Sequence, residues 1–186
     1  LNLTGQTAPT VAVADVYEHG WTGDWVLADF TSPDVLGAGG LSYAGIATTG
    51  GAMGLGDGVD GRAGRLLAGP VTSGSKGVVY MSFLMQVPNT GTDYRALELH
   101  DGSFNDGTDR KVQIGTGENG STDYFVRLFE TNTRGFYGSL GAINTDVNLI
   151  VLKFTFGTGN DEYALEVWFN PDRVTQTGPE LSLVWM

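Results

Sequence analysis

Apolar side chains recur at every second position along this chain, in short stretches that end in glycine, asparagine or aspartate. Over residues 78–87, Val79, Met81, Phe83, Met85 and Val87 fall on one side, and Tyr80, Ser82, Leu84 and Gln86 on the other. Residues 161–169 repeat the rhythm, with Tyr163, Leu165, Val167 and Phe169 opposite Glu162, Ala164, Glu166 and Trp168. A period of two is that of a β-strand with one face buried. Residues 147–156 and 124–130 read as further strands that are apolar on more than one face. Weaker strand signals cover residues 11–17, 25–30, 41–47, 62–67, 94–100, 111–114, 135–140 and 181–185. No segment keeps the three-and-four spacing of an amphipathic helix for more than two turns. About a dozen short strands in one chain call for two packed sheets rather than one open sheet. The expected fold is therefore all-β, a jelly-roll β-sandwich of two antiparallel sheets, with residues 1–186 forming a single domain.

Composition fits that reading. Of 186 residues 29 are glycine, spread without a collagen-like period, as turn residues between many strands require. Apolar runs are short, as at residues 149–152, so no segment is expected to insert into a membrane. The net charge of −11 would be repelled by a phosphate backbone, which excludes nucleic acid as an expected partner. The chain has no cysteine, so disulfides, thiolate catalysis and cysteine-held zinc are excluded together. It opens at Leu1 with no signal-like segment, as expected of a processed product.

Six segments, in order, carry a family likeness. They are Gly20-Trp21-Thr22-Gly23-Asp24-Trp25, Leu41-Ser42-Tyr43-Ala44-Gly45, Gly58-Val59-Asp60-Gly61-Arg62-Ala63, Val79-Tyr80-Met81-Ser82-Phe83-Leu84, Leu97-Glu98-Leu99-His100-Asp101-Gly102 and Val167-Trp168-Phe169-Asn170-Pro171-Asp172. As a set they resemble the LamG-like jelly-roll domains of bacterial extracellular proteins, within the concanavalin A-like lectin/glucanase superfamily. The resemblance implies one concave sheet and an extracellular or cell-surface location. It implies no particular activity, because a fold does not determine function.

Two enzyme classes on such folds can be tested by residue type. A laminarinase-like glycosidase needs two carboxylates across the scissile bond. Here Glu162 and Glu166 stand about 13 Å apart along one strand, beyond the usual range. Alginate-lyase-like jelly rolls resemble residues 95–100 and Gln113-Ile114-Gly115 in part, but glycine stands where a catalytic histidine is required. Only His19 and His100 are present, and a polysaccharide lyase or glycosidase is the less favoured expectation.

The expected role is a non-catalytic carbohydrate-binding or adhesion module. Trp168, Tyr80, Arg127 and Glu166 are the candidate glycan platform, an aromatic surface for the sugar ring beside polar groups for its hydroxyls. Two glycine-aspartate loops are candidates for a structural calcium ion, one with Asp57 and Asp60, the other with Asp101 and Asp106, because calcium prefers clustered oxygen ligands. The alternative role is a self-assembling filament or surface-layer subunit. Residues 1–14, read as an N-terminal extension or exchanged strand, and residues 181–186 would then complete a neighbour's sheet.

Overall fold

The computed structural model describes residues 21–28, 36–37, 40–43, 46, 52–53, 62–67, 77–102, 109–130, 133–156, 163–171 and 178–185. Contacts divide the chain into two compact units, Leu1–Gly40 with Thr48–Val71, and Leu41–Ala47 with Thr72–Met186.

In the first unit, β1 (Trp21–Ala28) pairs antiparallel with β4 (Arg62–Leu67), with a register shift between Thr22 and Val26. The two-residue strands β2 (Leu36–Gly37) and β3 (Ala52–Met53) pair with each other.

The second unit is a β-sandwich. One sheet has the order β12-β11-β10-β5, from β5 (Gly77–Met85), β10 (Asn148–Phe156), β11 (Tyr163–Phe169) and β12 (Leu181–Trp185). The other is the meander β6-β7-β8-β9, from β6 (Arg95–His100), β7 (Arg110–Thr116), β8 (Asp123–Glu130) and β9 (Thr133–Ala142). All pairings are antiparallel. The chain leaves the first sheet after β5, runs the whole meander, and returns to lay β10 beside β5. The all-β sandwich expected from the period-two pattern is thus the fold of this unit.

Alternation sets which side chains meet between the sheets. Ile150, Leu152, Leu165 and Val167 from one sheet, and Ile114, Tyr124, Val126 and Leu128 from the other, are almost fully buried in one core. Val79, Met81, Phe83 and Phe169, assigned inward by the sequence pattern, pack against it. Each such side chain contributes about 1.5–3 kcal/mol by leaving water.

At one end of the core a buried amide network joins the sheets. Asn148 Nδ2 donates to the Tyr124 hydroxyl at 2.9 Å, and Asn170 Nδ2 donates to Asn148 Oδ1 at 2.7 Å. Burial pushes the Tyr124 phenol up from its ordinary pKa, which keeps it neutral.

Two strand expectations need comment. Of residues 41–47, the described ones (41–43 and 46) form no strand; Tyr43 and Ile46 make an isolated bridge, with Ile46 N–H donating to the Tyr43 carbonyl at 2.9 Å. Residues 11–17 lie outside the described residues. The C-terminal strand β12 pairs with β11 of its own sheet, in register from Tyr163 with Trp185 to Val167 with Leu181.

Candidate functional site

The four expected platform residues do not share one surface. Tyr80, Glu166 and Trp168 do lie together, on the outward face of the β5-β10-β11-β12 sheet, where Tyr80, Lys153, Glu166 and Ser182 are successive cross-strand partners. Lys153 Nζ donates to Glu166 Oε2 there, and this bond holds the amine above its ordinary pKa. Tyr80 is 65% exposed. Arg127 belongs instead to β8 in the opposite sheet and faces away from the core. The hydrophobic core therefore stands between Arg127 and the other three, a separation set by strand order.

Arg127 sits in a second cross-strand row. Glu98 on β6, Gln113 on β7, Arg127 on β8 and Tyr137 on β9 are successive partners across the meander. The adjacent row is Ala96, Gly115, Phe125 and Ser139. A register shift between Leu99 and His100 pairs His100 with Arg110. Simple alternation would place Arg110 on the core side with Val112 and Ile114. The extra residue turns it outward, a common use of a bulge.

Glycine makes the approach to this face possible. A Cβ on Gly115 would strike the backbone of Arg95 and Ala96, and one on Gly117 would strike the Asp93 carbonyl. The segment before β6 therefore presses close against the end of β7. This brings Tyr94 over the outward face, its ring 6.2 Å from that of Phe125. It also means that a histidine at position 115 would have no space beside β6. Gly117, at φ 76°, opens the turn that carries Glu118 back toward Arg127.

Glu98 organises the polar atoms. Its Oε1 accepts from the Tyr94 hydroxyl at 2.7 Å and from Gln113 Nε2 at 2.7 Å. The Tyr94 oxygen also accepts from Gln113 Nε2 at 2.6 Å. On Oε2, His100 Nε2 lies at 3.0 Å, and Arg110 Nε stands at 3.2 Å as an ion pair not aligned for a hydrogen bond. Burial alone would push the Glu98 carboxyl up. Hydrogen bonds from His100, Tyr94 and Gln113 and the charge of Arg110 outweigh it and hold the pKa at about 2. The Tyr94 phenol is pushed up, by burial first and then by its bond to the Glu98 carboxylate, so it remains a donor.

Arg127 donates through Nη1 to Glu118 Oε1. Its guanidinium centre lies 5.4 Å from the Tyr137 ring, 5.8 Å from Phe129 and 6.0 Å from Phe125. This accounts for the second apolar face of residues 124–130: Phe125 and Phe129 flank a buried cation rather than extend the core. Gln113 is 1% exposed and Arg127 4%.

Burial of this kind is costly. A buried ion pair recovers its desolvation energy only when its remaining donors and acceptors are met. Here they are not all met. His100 Nδ1, Arg110 Nε, Gln113 Oε1 and Arg127 Nε are buried without a hydrogen-bond partner among the described residues. All four atoms belong to this one face, and each such atom costs on the order of 1–3 kcal/mol.

Glu98, His100 and Gln113 were visible in the sequence only as parts of an incomplete lyase-like pattern. The missed signal was a charged or amide residue at alternate positions of three neighbouring strands. The calcium candidates Asp57, Asp60 and Asp106 lie outside the described residues. Asp101 is exposed, with Lys111 Nζ 3.9 Å from its carboxylate. Among the described residues no three acidic or histidine side chains are grouped to hold a metal ion. Comparison with protein-family models, with curated proteins and with solved structures finds no match to this chain.

Proposed function

We propose that this chain is a non-catalytic, extracellular or cell-surface carbohydrate-binding module whose glycan lies across the outward face of the β6–β9 sheet. One observation carries the proposal. Tyr94 and Tyr137, each 47% exposed, stand on one sheet face with the polar row of Glu98, Gln113 and Arg127. A sugar ring can stack on these two rings while its hydroxyls reach the exposed rim of the row.

The test is a polysaccharide binding screen, run with calcium and with chelator, on the wild-type chain and on variants of both outward faces. Tyr94→Ala and Tyr137→Ala are expected to weaken binding at least about tenfold, the loss of roughly one good interaction. Tyr80→Ala and Trp168→Ala are expected to leave it unchanged. The reverse pattern would move the site to the other sheet.

A second reading rests on the Glu98–His100 contact. A histidine oriented by a carboxylate, with its other ring nitrogen unpartnered, resembles the arrangement of a general base, and substrate would have to displace its cover to reach it. Release of unsaturated or reducing ends from any bound polysaccharide, lost in His100→Gln, would establish an enzyme.

A further inference from the structure

We infer that two copies of this chain associate through the outer edge of β5, strand against strand, as an antiparallel pair about a twofold axis. A strand at the end of a sheet leaves a row of amide and carbonyl groups unpaired, and proteins usually blunt such edges with charge, bulges or shortness. Three of the four end strands of the sandwich are blunted. β6 carries Arg95, Glu98 and His100. β9 carries Arg134, three glycines and two register shifts against β8. β12 has only five residues.

The fourth is not. β5 runs for nine residues in unbroken register with β10, and among the described residues no strand pairs with its far side. It contains no charge and no proline. Val78 is 48% exposed, Tyr80 65%, and Ser82 is exposed as well. Its inward side chains Val79, Met81, Phe83 and Met85 are only partly buried, whereas Ile150 and Leu152 on the neighbouring β10 are fully buried. The core is therefore less well covered along β5 than one strand further in.

Charge and pattern specify a second copy as the strand that covers it. Two chains of net charge −11 repel one another, so like can meet like only where the surface carries no charge, and residues 77–87 are such a stretch. The sequence of β5 is also complementary to itself. An antiparallel pair centred on Met81 uses all nine residues. It sets Val79 of one copy opposite Phe83 of the other on the inner side, and Tyr80 opposite Ser82 on the outer side. The inner apolar faces then join into one continuous surface. Such an axis stands roughly perpendicular to the sheet, so both β6–β9 meanders lie on the same side of an eight-stranded sheet.

The experiment is sedimentation equilibrium on the full chain from about 1 to about 100 μM, with hydrogen exchange at both ends of that range. The wild type is expected to be a dimer, with amide protection that rises with concentration in β5. The double variant Tyr80→Lys with Ser82→Lys sets like charges opposite one another and is expected to weaken dimerisation at least about tenfold. Both positions are exposed and point away from the core, so circular dichroism should stay that of the wild type. Val184→Lys, on the edge strand β12, is expected to leave the dimer intact. A wild-type monomer at every concentration overturns the inference. So does a dimer that survives the double lysine variant, or one whose concentration-dependent protection falls in β6, β9 or β12.

Discussion

The two outward faces of the sandwich are built alike and behave differently. Each carries a polar row across its strands, Tyr80-Lys153-Glu166-Ser182 on one sheet and Glu98-Gln113-Arg127-Tyr137 on the other. Each contains a basic–acidic bond. On the first face the partners keep access to water, with side chains 26% and 23% exposed at Lys153 and Glu166. On the second, Arg127 and Glu118 are 5% and 10% exposed, and the amide between Glu98 and Arg127 is fully enclosed. The same chemistry is inexpensive in water and expensive away from it. A row of tyrosine and charge is therefore a poor marker of a site until its burial is known.

The sharpest way to break this contrast is to remove one member of the enclosed pair. Arg127→Ala is expected to cost about 3–5 kcal/mol in urea denaturation, because it strips the guanidinium from a buried carboxylate. A cost under about 1 kcal/mol would mean that the face is open to water and that the contrast does not hold.

Acid separates the faces next. The folded pKa of Glu98 is about 2, below the ordinary 4.5. A depressed carboxylate contributes stability that is present above its unfolded pKa and lost as pH falls through the folded one. Wild-type stability should thus decline between about pH 4.5 and 2, and Glu98→Gln should flatten that limb. An identical acid limb in wild type and variant would show that Glu98 is not held ionised.

The smallest effect is expected on the exposed row. Lys153→Met should leave the urea midpoint within experimental error, at low salt and at high, as is usual for a bridge in contact with water. A loss comparable with that of Arg127→Ala would make the two faces energetically equivalent.

Much of the sandwich was legible residue by residue. The inward set Val79, Met81, Phe83 and Met85 on β5, and Leu165 and Val167 on β11, follows from alternation alone, because a pleated strand has two faces and only one can be apolar and still meet water on the other. The site was legible only in fragments. Tyr80, Glu166 and Trp168 were correctly placed on one outward surface, but Arg127 was grouped with them because nothing in a linear pattern says which strands share a sheet. Arg110 could not be placed outward by alternation, since its direction depends on the bulge opposite His100. Gly115 read as a missing catalytic residue, whereas its lack of a side chain is what lets the chain around Arg95 and Ala96 approach.

What the sequence alone determined is the class of fold and the inner faces of its strands, since both follow from local periodicity and the transfer of apolar groups from water. Only the tertiary structure decided that Glu98, Gln113 and Arg127 form one enclosed row, and that their unmet atoms lie together. Strand order, register and a single bulge bring residues 15 and 14 positions apart in the chain into contact, and those are products of non-local pairing that no short window of sequence contains.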